Sequence, residues 1–146
     1  MIIHTMSEGI TLARKLENDS AAFYEALAKK FTANAETYLA LAKENKKNVA
    51  QIDRAYYGVI TDALEGGYAL NLEADKYTIK SSLASGAKTA EVVKQAVAME
   101  GTIIDYYTVA AEQSRALMAD VPQTFLLIAK KRKTRKEKLA ELLEKA

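Results

Sequence analysis

Four stretches of this chain place apolar residues at alternating spacings of three and four, which keeps their side chains on one face of an α-helix. The first stripe is Ile10, Ala13, Glu17, Ser20, Tyr24, Leu27, Phe31, and the second is Tyr38, Leu41, Asn45, Asn48, Ile52, Ala55, Val59. The third reads Val93, Ala96, Glu100, Ile103, Tyr107, Ala110, Ser114, and the fourth Phe125, Ile128, Arg132, Arg135, Leu139, Leu142. Each stripe is an apolar seam interrupted by polar residues near its middle. The 146 residues include only one proline and six glycines, so little in the sequence breaks a helix. The pattern dictates an all-α chain of four long helices.

The punctuation between the stripes predicts helices at about 7–31, 35–65, 90–118 and 121–145, forming one domain over residues 1–146. Ser7 is positioned to cap the first helix, with Glu8 in its first turn. Thr32-Ala33-Asn34 separates the first pair, and Gly66-Gly67 ends the second helix. Residues 68–88 make a long connection in which Leu70 to Ser85 has room for a short helix. Thr89 is expected to cap the third helix and Asp120 the fourth, with Pro122 in the first turn, where its missing N–H is harmless. The chain also repeats itself. Glu17-x6-Tyr24 returns as Glu100-x6-Tyr107, and the stretch from Tyr38 to Asn48 returns in register from Phe125 to Arg135. Two helix hairpins related by a pseudo-two-fold axis are therefore expected.

Composition narrows the chemistry. There is no cysteine, which excludes disulfides, thiolate metal sites and thiol catalysis. His4 is the only histidine, and its place near the start of the chain reads as a solvated terminal residue. No apolar run approaches the ~20 residues that span a bilayer. The Met1-Ile2-Ile3-His4-Thr5 start lacks the marks of a secretion signal, so a cytoplasmic protein without a membrane partner is expected. The net charge of +2 says little, but Lys130 to Lys138 packs seven basic residues into nine. That run raises anion or nucleic-acid binding by the fourth helix. Against it stand Glu137, Glu141 and Glu144 as i, i+4 partners, two seam positions that point inward, and the lack of interleaved aromatics.

Stacked by register, the seam interruptions gather Glu17, Ser20, Asn45, Asn48, Glu100, Arg132 and Arg135 into one band across the core. The second and fourth helices carry their polar pairs at i and i+3. Di-iron carboxylate bundles place Glu-x-x-His at that spacing, with one further glutamate from each remaining helix. Leu16-Glu17-Asn18-Asp19-Ser20-Ala21-Ala22-Phe23-Tyr24-Glu25 and Met99-Glu100-Gly101-Thr102-Ile103-Ile104-Asp105-Tyr106-Tyr107 resemble the first and third helices of rubrerythrin-like proteins. Ala42-Lys43-Glu44-Asn45-Lys46-Lys47-Asn48 and Ala129-Lys130-Lys131-Arg132-Lys133-Thr134-Arg135 are similar to that family's second- and fourth-helix ligand stretches. The resemblance runs from about residue 7 to 145. It implies a ferritin-like antiparallel four-helix bundle of two repeated hairpins joined by a long crossover and, for an intact member, a di-iron centre handling peroxide or oxygen.

This sequence departs from that pattern where the metals would be held. The resemblance implies that Glu17 and Glu100 keep the two single carboxylate ligands, but Asn45/Asn48 and Arg132/Arg135 stand for both Glu-x-x-His pairs. Ile103 falls where the family's additional third-helix carboxylate would be. Arginine stays protonated and has no lone pair to give. Two guanidinium groups balance two carboxylates and match them bidentately, so the expected outcome is a buried Glu/Arg/Asn network, no bound cofactor, and a non-catalytic binding or structural role. Tyr24 and Tyr107 lie near the band and read as packing, and the pairs Tyr56-Tyr57 and Tyr106-Tyr107, which are expected to straddle core and surface, read as packing or interface. The alternative is a divergent oxidoreductase holding iron or manganese through Glu17 and Glu100, helped by Glu44 or Asp19. A homodimer is expected by resemblance, with its interface along the crossover at Tyr68 and Tyr77; a small ligand or protein partner stays open.

Overall fold

The first helix opens two residues earlier than its expected cap. Thr5 Oγ1 accepts the Glu8 N–H at 3.1 Å, and Glu8 Oε1 accepts the Thr5 N–H at 3.1 Å. This reciprocal pair needs an acid three residues after the cap. Thr5 has Glu8 there, whereas Ser7 has Ile10, so Ser7 is passed over. Helix α1 then spans Met6–Lys30.

The computed structural model describes residues 1–57, 68–115 and 120–145, with the backbone alone at Tyr68. A 3-10 turn, Thr32–Asn34, leads into α2, Ala35–Tyr57. Helix α3 is Thr89–Ser114 and α4 is Asp120–Lys145. Thr89 is the first residue of α3 and not its cap. Lys88 holds that place, and its N–H donates to the Glu91 carboxylate at 3.3 Å. The expected extensions of the second helix to 65 and the third to 118, the Gly66-Gly67 stop, and the residue preceding Asp120 lie outside the described residues.

The polar contacts fix the helix directions. Ser20 meets Asn45 while Glu17 meets Asn48, so α1 and α2 run antiparallel. Tyr24 meets Glu100 while Tyr107 meets Glu17, so α1 and α3 are also antiparallel. Lys131 meets Gln51 while Arg135 meets Glu44, which makes α2 and α4 antiparallel as well. Helices α2 and α3 therefore point the same way, and the chain between them has to return along the bundle. The four helices are packed closely, with α1 mainly against α2 and α3 mainly against α4.

One element was not expected. Residues 70–85 do not form a short helix. Strand β2, Tyr68–Glu73, pairs antiparallel with strand β1, Ile2–Thr5, and is followed by a 3-10 turn, Ala74–Tyr77. Leu70 and Leu72 alternate inward and are buried with Ile3, a period of two that a helix cannot present on one face. Gln113 of α3 fastens the outer side, accepting the Asn71 N–H at 2.7 Å and donating to its carbonyl at 3.2 Å. The ribbon comes close to α1 at Gly9, where a Cβ would sit 2.5 Å from Leu70 Cδ1. His4, within β1, is half-buried rather than solvated, and its N–H donates to Glu8 Oε1 at 3.2 Å.

The core is continuous from the ribbon through the bundle. Phe23, Tyr24, Tyr38, Tyr106, Tyr107 and Phe125 are its completely buried aromatic members. Among the described residues, no helix is long and apolar enough to cross a membrane.

Candidate functional site

Every residue of the predicted band is buried: Glu17, Ser20, Asn45, Asn48, Glu100 and Arg132 are 0% exposed and Arg135 is 4% exposed. Charges at such depth persist only when paired and hydrogen-bonded. Arg132 does most of that work. Its Nε reaches Glu17 Oε2 at 3.2 Å and its Nη2 reaches Glu17 Oε1 at 2.9 Å, a side-on fork. Its Nη1 contacts Glu100 Oε1 at 2.5 Å. One guanidinium thus bridges both carboxylates. Arg135 Nη2 adds a second contact to Glu100, at Oε2, 3.1 Å away.

The asparagines supply the remaining links. Asn45 Oδ1 accepts from both arginines, at 3.1 Å from Arg132 Nη2 and 2.6 Å from Arg135 Nη1, while its Nδ2 donates to Ser20 Oγ at 2.9 Å. Asn48 Nδ2 donates to Glu17 Oε1 at 3.0 Å, and Asn48 Oδ1 accepts from Lys131 Nζ at 2.9 Å. Lys131 also donates to Gln51 at 3.1 Å, so a third cation of the basic run is tied to the layer. Its position beside Arg132 was the signal for this, but the stripe places it off the seam.

Tyr24 and Tyr107 are more than packing. Tyr24 Oη donates to Glu100 Oε2 at 2.5 Å, and Tyr107 Oη donates to Glu17 Oε2 at 2.7 Å. The tyrosine of each repeat therefore serves the glutamate of the other. The Arg135 guanidinium also lies over the Tyr24 ring, 5.3 Å from its centroid. Tyr106 and Tyr107 are both fully buried and do not straddle the surface, whereas Tyr56 is buried and Tyr57 is 60% exposed. Tyr77 is half-buried, its ring 5.3 Å from that of Tyr106.

Electrostatics follow from this geometry. Burial pushes the Glu100 carboxyl up, but the charges of Arg132 and Arg135 and the Tyr24 hydrogen bond outweigh it and leave it below the ordinary value. Burial, and then Glu100, raise the Tyr24 phenol well above its ordinary value; burial and Glu17 do the same for Tyr107. Burial lowers the Arg132 guanidinium, but Glu100 and Glu17 more than restore it, so its affinity for the proton rises. The layer consists of two carboxylates, two guanidiniums and neutral hydrogen-bonding groups, with the Lys131 ammonium bound at its edge through Asn48.

These residues do not fit a di-iron or di-manganese centre. All four carboxylate oxygens of Glu17 and Glu100 already accept hydrogen bonds or ion pairs, and the two arginines beside them have no lone pair to give a metal. Of the suggested helpers, Asp19 pairs with Lys15 at 2.7 Å, and Glu44 meets the layer only through Arg135, at 3.4 Å. Among the described residues, no group of three or more His, Cys, Asp and Glu side chains is gathered to hold a metal ion. Ile103 is fully buried within the core.

No protein-family model, curated protein or solved structure matches this chain.

Proposed function

We propose that this chain is a ferritin-like protein related to rubrerythrins in which a guanidinium–carboxylate layer has taken the place of two metal ions, leaving a non-catalytic binding or structural role. The observation that carries this reading is Arg132, fully buried and bridging Glu17 and Glu100 from the centre of the bundle. A cation between two carboxylates contributed by α1 and α3 is what a carboxylate-bridged metal pair would supply. The guanidinium supplies it without redox chemistry. The helix directions and the long link between α2 and α3 support the ferritin-like reading, because that connectivity needs one crossover.

The basic run supports binding to nucleic acid poorly. Arg132 and Arg135 are buried within the layer, and Lys131 is held by Asn48 and Gln51. A cytoplasmic homodimer is part of the proposal, by the same resemblance.

Elemental analysis of protein produced with added iron and manganese tests the reading. The expected result is less than one tightly held metal ion per chain. A stoichiometric metal ion, removed by Glu17→Gln or Glu100→Gln, would overturn it in favour of the oxidoreductase alternative.

A further inference from the structure

Between α1 and the returning chain around Tyr77 lies a cleft of about 360 Å³. That volume falls within the roughly 300–1,000 Å³ of small-molecule sites. Its walls are apolar. Leu12 and Leu16 stand one turn apart on α1, Ile3 comes from β1, and Tyr77 and Ile79 come from the returning chain. Ile3 and Leu16 are buried, while Leu12, Tyr77 and Ile79 are half-buried and packed on the core. The Tyr77 ring is steadied edge-on against buried Tyr106.

We infer that this cleft binds a small aromatic amine in its protonated form, the ring against Leu12, Tyr77 and Ile79 and the ammonium donating to the Glu8 and Asp75 carboxylates. Both acids line the cleft, one from each wall, and neither pairs with a lysine or arginine among the described residues. Glu8 is held in place, because its Oε1 accepts the His4 N–H, the Thr5 N–H and the Thr5 hydroxyl at 3.1–3.2 Å. Asp75 is open to a ligand, its side chain 83% exposed and its one ionic contact, to the Met1 ammonium, long at 3.6 Å. The cations at the cleft are already engaged. Lys15 holds Asp19 at 2.7 Å, and the Met1 ammonium sits closer to Glu73, at 3.0 Å. Thr11 and Thr78 also line the cleft, and each hydroxyl gives its hydrogen to a backbone carbonyl, of Ser7 and Asp75 respectively. Their oxygens are left to accept. An ammonium, with three donors and no acceptor, complements such a rim in both charge and hydrogen bonding. The inference rests on the cleft, not on the family relation, so it can fail while the metal analysis succeeds, and the reverse.

The test is a titration of the full chain at neutral pH, followed through methyl signals in ¹H–¹³C spectra. Three probes share one body and differ in charge: 2-phenylethylamine, 2-phenylethanol and phenylacetate. The amine is expected to shift Leu12 and Ile79 saturably while Leu126 and Leu127, exposed on α4, stay in place. The alcohol is expected to bind about tenfold more weakly than the amine, and phenylacetate more weakly still. Asp75→Asn, at an exposed position, is expected to weaken the amine about tenfold and leave the alcohol unchanged. Thr11→Phe, which fills the cleft from an exposed position on α1, is expected to abolish binding of both. A thermal melt confirms that each variant folds. An amine titration without saturable shifts at Leu12 and Ile79 overturns the inference, as does binding that survives Thr11→Phe. Alcohol or phenylacetate binding as tightly as the amine overturns recognition of a cation, and so does an amine affinity indifferent to Asp75→Asn.

Discussion

Tyr107, on the third helix, donates its hydroxyl hydrogen to Glu17 on the first across 2.7 Å, and neither atom is exposed to solvent. The repeat supplies the mirror contact, Tyr24 to Glu100. Both tyrosines give a neutral donor to a buried anion, which is worth more than a bond between neutral groups. Tyr107→Phe and Tyr24→Phe are each expected to lower unfolding free energy by about 1.5–3 kcal/mol in chemical denaturation. Equal losses would reflect the pseudo-symmetry. A loss below about 0.5 kcal/mol for either would mean that its glutamate finds a replacement donor, such as water.

Arg132→Ala leaves Glu17 and Glu100 facing each other with their bridge removed. The expected loss is about 3–5 kcal/mol, read from urea unfolding at neutral pH. Arg132→Lys should recover only part of it, because one ammonium cannot fork across Glu17 while also reaching Glu100. A mutant that unfolds like the parent would show that the layer is not buried as described.

The pH dependence has two limbs with different owners. The folded value of the Glu100 carboxyl lies below its ordinary 4.5, so the unfolded chain binds the proton more readily. Its contribution is fully present above about 4.5 and is lost as pH falls through the folded value. Tyr24 and Tyr107 are raised above their ordinary 10.0, so their contribution is present below about 10 and is lost as pH rises through the folded values. Melting temperature measured against pH should fall at both ends. Glu100→Gln should flatten the acid limb, and Tyr107→Phe the alkaline one.

Gly9 sets a steric limit on the ribbon. Alanine would favour helix α1 by about 1 kcal/mol through propensity, yet its methyl meets Leu70 Cδ1 at 2.5 Å and Tyr106 Oη at 3.4 Å. Leu70 is only 4% exposed and has little room to turn aside. Overpacking of about 1–3 kcal/mol is expected to win, giving a small net loss. Hydrogen exchange should quicken first at Ile3 and Leu72, which pair across the ribbon. Unchanged exchange at those amides would mean that the leucine relocates freely.

How much the sequence revealed depends on how each residue is held. Spacing alone put Glu17, Asn45, Glu100 and Arg132 at one level, because helical periodicity is rigid and four seams share one core. It could not show that Tyr24 serves Glu100 rather than Glu17, since that choice depends on which helices lie side by side. The ribbon was missed because only Ile3, Leu70 and Leu72 carry its alternation, and Ile3 is some seventy residues from its partners. Ser7 and Thr89 looked like caps by residue type, but in both cases the position of the nearby glutamate put the helix start one or two residues earlier.

Asn45, Ser20 and Glu17 belong to the first hairpin, whereas Glu100 and both buried arginines belong to the second. The inner face of the first half thus carries an unmatched negative charge and that of the second an unmatched positive one. Neither half can close over its own interior without stranding an ion in a dry place. The two halves attract each other along the faces they must bury, and correct docking is the step that neutralises both. A fragment ending before α3 would be expected to stay open, exposing an acid that only the rest of the chain can satisfy.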